Sequence, residues 1–256
     1  GCRLSGADIA VYPHGDAAAC AALLDRARGR VLIVSDGVFS MDGDLAPLAA
    51  LAAAAERRQA WLMVDEAHAT GVIGEGGAGA AAALGVSDRV AVVMGTLSKA
   101  LGSAGGFVAG SRLLCDYLRN RARSFVYDTA PTPAAVAAAL AALTVVADEP
   151  TRRHQVLAAA QHLGRELAAL GYAVPPPAAA IVPVQIGDSA VAMRLSAYLR
   201  RAGVLALAIR PPTVPAGTAR LRLCPMATHS AEQLAQVIAA FRAARDALPE
   251  LRPLLR

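Results

Sequence analysis

The sequence predicts an α/β chain, with a mostly parallel sheet flanked by helices and a smaller C-terminal α+β domain. Three observations carry this reading. Up to about residue 128, short continuous apolar runs alternate with Ala- and Leu-rich stretches of helical character. Such runs are the mark of strands covered on both faces. Past the break at Asp148-Glu149-Pro150-Thr151 the alternation resumes with a different spacing, which divides the chain into residues 1–149 and residues 150–256. Finally, 55% of the 256 residues are apolar and 18% charged, so the chain buries a core and has length for one large and one smaller domain.

Each element follows from its own residues. Val31 to Ser35 is a β-branched apolar run and reads as a buried strand. Leu45 to Arg58 reads as a helix, Trp61 to Asp65 as the next strand, and Val90 to Met94 as another. Gly106 to Ala109 and Phe125 to Tyr127 are weaker strand signals. Pro131 and Pro133 open an Ala-rich helix to about Ala147, with Pro in the first turn, where its missing N–H costs nothing. A second helix runs to about Leu170, and Pro175-Pro176-Pro177 marks a surface turn. Then come strand (Ile181–Ile186), helix (Ser189–Arg201), strand (Val204–Ile209), loop (Arg210–Thr218), strand (Ala219–Cys224) and helix (Ala231–Ala247).

Composition excludes several classes. The net charge of +5 is dispersed and only 4% of residues are aromatic, so no basic stripe with stacking rings marks a nucleic-acid surface. A modest basic excess suits an anionic substrate or cofactor. No uninterrupted apolar stretch reaches the roughly 18 to 20 residues of a membrane span. Cys2, Cys20, Cys115 and Cys224 lie far apart with no CxxC, which argues against a zinc site or disulfide framework and fits a reducing cytoplasm.

In α/β sheets, ligands bind beyond the carboxyl ends of strands. Three candidate segments lie there: Ser35 to Ser40, Asp65 to His68, and Thr96 to Lys99. Asp65 at a strand end has the plain reading of a helix cap, with His68 a polar residue near a turn. Asp65-Glu66-Ala67-His68 also matches the Walker B element of a helicase-type ATPase, with Gln161-His162-Leu163-Gly164-Arg165 as a faint arginine motif. That reading needs a G-x-x-x-x-G-K-[ST] loop, which is absent from this sequence. Lys99 has the plain reading of a surface lysine in a glycine-rich turn. Lys is scarce here, however, and Gly95, Gly102, Gly105 and Gly106 permit close backbone approach to a ligand. A Lys after one strand and an Asp after another suit pyridoxal phosphate (PLP): the Lys can form a Schiff base, and the Asp can keep the pyridine nitrogen protonated. Thr96, Ser98 and Ser40 offer hydroxyls to a phosphate or a ring oxygen. The acidic run Asp36 to Asp44 lacks the closing Glu of a calcium loop. Arg220 and Arg222 alternate on a strand and share a face, where an Arg suits a carboxylate.

Taken in order, Asp36-Gly37-Val38-Phe39-Ser40-Met41-Asp42-Gly43-Asp44, Val64-Asp65-Glu66-Ala67-His68, Thr96-Leu97-Ser98-Lys99-Ala100-Leu101-Gly102 and Arg210-Pro211-Pro212-Thr213-Val214-Pro215 resemble the α-oxoamine synthases, which are fold-type I PLP enzymes. The resemblance runs from Arg3 to the C-terminal helix and implies the type I PLP-dependent transferase fold. It implies a decarboxylative condensation of L-alanine with a pimeloyl thioester of CoA or an acyl carrier protein. The Arg-Pro-Pro-Thr-Val-Pro segment favours an alanine-using member over glycine-using relatives. The resemblance makes Lys99 the cofactor-bearing base, Asp65 the partner of the pyridinium nitrogen, and His68 and Ser40 ring contacts. Thr96 contacts the phosphate, Thr213 the substrate and Arg222 the amino-acid carboxylate. The resemblance also implies a homodimer in which Thr129 reaches the phosphate of the neighbouring subunit. The family usually has Glu where Asp36 stands. Its N-terminal portion, with a phosphate loop and a His that stacks on the pyridine ring, precedes the part matched here, so the cofactor site is expected to lack one wall.

Overall fold

The computed structural model describes residues 1–254. The first half contains α1 (Ala17–Arg26), β1 (Leu32–Asp36), α2 (Leu48–Arg57), β2 (Trp61–Asp65), α3 (Ala80–Ala83), β3 (Val92–Thr96), β4 (Gly106–Gly110), α4 (Arg112–Arg121), α5 (Arg123–Val126) and α6 (Pro133–Asp148). There follow α7 (Thr151–Ala169), β5 (Val182–Gly187), α8 (Ser189–Arg201), β6 (Leu207–Ile209), β7 (Ala219–Leu223) and α9 (Ala231–Ala247).

Two sheets organise the chain. The first has the order β1-β2-β3-β4, with β1, β2 and β3 parallel and β4 antiparallel at the edge. The second is antiparallel, in the order β5-β7-β6. Each has its own core. Leu48, Leu51, Leu62 and Val64 are fully buried in the first. Phe241, Leu195, Leu199 and Leu221 are fully buried in the second. Leu157, Ala179 and Ile181, from beyond residue 149, pack in the first cluster.

Several elements differ from the sequence expectation. Phe125 to Tyr127 is no strand: Phe125 and Val126 both donate to the Ala122 carbonyl, which makes α5 a helical turn following α4. The helix expected from Leu45 starts at Leu48, because Leu45 pairs with Val38 across a turn and Pro47 sits at the N-cap. The strand expected at Val90 lies two residues later, at Val92–Thr96, because Val90 still closes a short turn to the Ser87 carbonyl. Val204 stays outside β6 because its amide closes α8 by bonding the Leu199 carbonyl. In contrast, α6 begins at Pro133 with Thr132 as its cap, whose hydroxyl accepts from the Ala135 amide.

The continuous apolar runs predicted cover on both faces, but among the described residues only one face of the first sheet is covered, because no helix described lies over Leu32, Val34 and Trp61. Along β1 and β2, Ile33, Ser35, Leu62 and Val64 are buried while Leu32, Val34 and Trp61 are exposed. Alternation sends Asp36 and Asp65 to that same open face at the strands' carboxyl ends. Among the described residues no single helix is long and apolar enough to cross a membrane.

Candidate active site

The three parallel strands deliver three loops to one place. After β1, the ladder continues as Gly37 donates to the Asp65 carbonyl at 2.8 Å. The chain then folds into a tight hairpin in which Phe39 N–H donates to Asp44 and Gly43 N–H to Phe39. Ser40 sits at its tip, half-buried. After β2, Asp65 Oδ1 accepts the Ala67 amide at 2.9 Å, which turns the chain so that His68 follows one turn on. After β3, Thr96 Oγ1 shares a 2.7 Å hydrogen bond with Ser98 Oγ and donates to the Gly105 carbonyl at 3.1 Å. This ties the Lys99 turn to the start of β4. Lys99 Nζ and His68 Nε2 lie 3.0 Å apart and share one hydrogen bond.

Glu66 supports this arrangement from below. It is 1% exposed, and its carboxylate accepts the amides of Ala80 at 2.7 Å and Ala81 at 2.8 Å, the first turn of α3. Burial pushes its carboxyl up, and those two amides oppose the shift.

The charges at the site act on one another. Desolvation, with the nearby Lys99 charge, pulls His68 down to about 4, so its imidazole is neutral at pH 7. Partial burial pulls the Lys99 ammonium below its ordinary value, Arg222 pulls the same way, and Asp65 and Asp36 oppose them. Asp36 is pushed up by burial and by Asp65, its register partner. Arg222, on β7, has a buried Nε with no partner. A buried donor left free is costly unless something accepts from it. The Arg222 charge acts on both His68 and Lys99, so its guanidinium belongs to the same site. Lys99 is also the only lysine in the chain.

Lys99, His68, Asp65 and Arg222 are thus brought together, with Ser40 on the hairpin after β1 and Thr96 at the end of β3. Thr213 is exposed in the loop before β7, and its amide bonds Arg210 at 3.0 Å. Thr129 is exposed between α5 and α6, its amide bonding Asp128 at 2.9 Å. Neither takes part in the hydrogen bonds around Lys99. Two participants were not assigned from the sequence. Asp36 enters the sequence reading only as a departure from the family's usual Glu, although its place at a strand end is a signal the sequence offers. Glu66 figured only in the ATPase reading, and no sequence signal points to its amide partners.

The model of the family "Aminotransferase class I and II" matches residues 1–241. The chain belongs to this family. Among curated family relatives, 8-amino-7-oxononanoate synthase of Anaeromyxobacter dehalogenans is 51% identical over 254 residues, 99% of this chain and 64% of that protein. The chain therefore spans under two thirds of that relative's length. Among solved structures, a serine palmitoyltransferase from S. paucimobilis with a bound PLP–myriocin aldimine superposes with a TM-score of 0.89. The two are 31% identical over 92% of this chain and 60% of that one. An 8-amino-7-oxononanoate synthase from Francisella tularensis gives a TM-score of 0.81 at 26% identity, over 96% of this chain and 71% of that one. The fold is the type I PLP-dependent transferase fold of the family, as the order of the sequence motifs predicted.

Proposed function

We propose that this chain carries the catalytic lysine and most of the site of an 8-amino-7-oxononanoate synthase. The reaction joins L-alanine to pimeloyl-CoA, or to the pimeloyl carrier-protein thioester, and releases 8-amino-7-oxononanoate, the free thiol and CO2, a step of biotin synthesis. In this reading residues 1–149 bind the cofactor and residues 150–256 form the small domain. Free thiols at all four cysteines support a reducing, cytoplasmic setting. A homodimer completes the site, with Thr129 contributing to the neighbouring subunit.

The observation that carries the reading is the convergence on Lys99: neutral His68 at 3.0 Å, the Asp65 carboxylate, and the unpartnered Nε of Arg222. These residues fit PLP together with an amino-acid carboxylate. When bound, PLP supplies an electron sink for the pair of electrons left at the alanine Cα. Asp65, fixed by the Ala67 amide, keeps a proton on the ring nitrogen. Lys99 removes the Cα proton as the neutral amine, a form that its lowered pKa makes accessible. His68 and Ser40 orient the ring, and Thr96 holds the phosphate. Arg222 takes the carboxylate that later departs as CO2, and Thr213 contacts the substrate. The 51% identity to a named synthase supports alanine and the pimeloyl thioester.

Because Lys99 is the sole lysine, borohydride reduction after PLP addition is decisive. The expected result is a visible absorption band and one pyridoxyl group, on the Lys99 peptide. Thiol release should require both L-alanine and pimeloyl-CoA, and Lys99→Ala should abolish band, adduct and release. Absence of both band and adduct in the intact gene product overturns the reading. A preference for glycine or serine over alanine overturns the substrate assignment.

A further inference from the structure

The two arginines of β7 face the same way but are used differently. Arg222 keeps a free, buried Nε at the site, whereas Arg220 commits its Nε and Nη1 to the chain itself. Its side chain is 5% exposed. Its Nε donates to the Thr218 carbonyl at 3.1 Å, and its Nη1 donates to the Met41 carbonyl at 3.3 Å and to the Asp42 carboxylate. Asp42 lies two residues after Ser40, and Arg222 lies two residues after Arg220. A second contact reinforces the join, since Gly43 packs so tightly on Ile181 that a Cβ there would lie 2.8 Å from the Ile181 carbonyl.

We propose that Arg220 is a positioning residue that locks the Ser40 hairpin to β7, so that the Ser40 hydroxyl and the Arg222 guanidinium are held as one unit. The planar fork of Arg fits this task because it donates in several fixed directions at once, which a lysine does not do. The proposal deepens the synthase reading and rests on it for the identity of what Ser40 and Arg222 contact. The physical join itself is independent of that reading.

The test uses Arg220→Gln, Arg220→Lys and Asp42→Asn in the chain as sequenced, with two readouts. Amide hydrogen exchange, without cofactor, should quicken about ten-fold at Phe39 and Gly43, with α8 unchanged, given the strength of a lost charge-assisted bond. With PLP bound, the L-alanine concentration that half-saturates the visible spectral change should rise about ten-fold. Arg220→Lys should recover part of both. Uniformly faster exchange across the chain would mean a general structural role and overturn the proposal, as would unchanged exchange at Phe39 and Gly43 or unchanged alanine affinity. If Arg220→Gln does not fold, Asp42→Asn reads the same join from its more exposed side. An intact gene product that gives no visible band refutes the synthase reading, while the exchange result still decides the role of Arg220.

Discussion

At the scale of single residues, Lys99 is a lysine whose charge is set by its neighbours, and the direction of each effect is testable. Its ammonium is held below 10.5 mainly by desolvation, with Arg222 adding to the shift and Asp65 opposing it. The rate of reductive methylation at Lys99 should therefore rise with pH, with a midpoint below 10.5. Arg222→Met should move that midpoint up, and Asp65→Asn should move it down. Opposite signs from the two variants separate charge effects from a general loosening of the turn. His68 gives a second pH dependence. Its folded value near 4 lies below the unfolded 6.5, so the unfolded chain binds the proton more readily between them. The stability owed to neutral His68 is complete above pH 6.5 and is lost as the pH falls towards 4. Urea unfolding between pH 7 and pH 4.5 should record this decline, and His68→Phe should flatten it. An unchanged slope in His68→Phe would assign the acid sensitivity to other groups.

At the scale of elements, the Asp65–His68 turn is held through Glu66 and α3. Gly79, just before α3, has φ +109°, and a Cβ there would lie 2.7 Å from Glu66 Cδ. Gly79→Ala thus combines backbone strain with a clash against a buried carboxylate, and should cost about 2–4 kcal/mol in urea unfolding. Glu66→Gln keeps the shape but replaces one amide acceptor by a donor, for about 1–3 kcal/mol. Such supports are the part of the molecule that sequence reading does not reach. The strand Trp61–Asp65 and the helices Ser189–Arg201 and Ala231–Ala247 were legible to the residue. Their signals are local: an apolar run, or a cap such as Asp188 and the Ser230–Gln233 capping box. The placement of Ser40, Asp65, His68 and Lys99 was legible because Asp65 closes a strand and the other three lie in the turns after strands. Phe125 to Tyr127 misled because β-branched and aromatic side chains favour strands only where a partner strand exists, and here α4 runs directly into them. Glu66 and the Arg220–Asp42 join were invisible because their partners are fixed by the assembled fold: 14 and 15 residues away for Glu66, and 178 for Arg220.

At the scale of the whole molecule, the apolar surface is unevenly distributed. Helix α6 buries only Ala139, and Val136, Leu140 and Leu143 are 45%, 61% and 50% exposed. On α4 and the segment after it, Leu113, Tyr117, Phe125 and Tyr127 are all more than half exposed. The open face of the first sheet adds Leu32, Val34 and Trp61. Soluble monomers rarely leave apolar surface of this extent to water, and large exposed patches usually mark contact surfaces. Net charge of +5 on 256 residues is too small a repulsion to keep such surfaces apart. Such surface is expected to be buried against protein outside this chain, and a second copy, with α6 in the contact, is the partner to test. Sedimentation velocity should find species heavier than the 26.1 kDa monomer, growing with protein concentration. Replacing Leu140 and Leu143 together by Glu should shift the population towards monomer. Because both side chains are half or more exposed, the same double variant should unfold in urea at nearly the wild-type midpoint. A fall in that midpoint would show that α6 packs within the chain, and an unaltered sedimentation profile would move the contact to the sheet face.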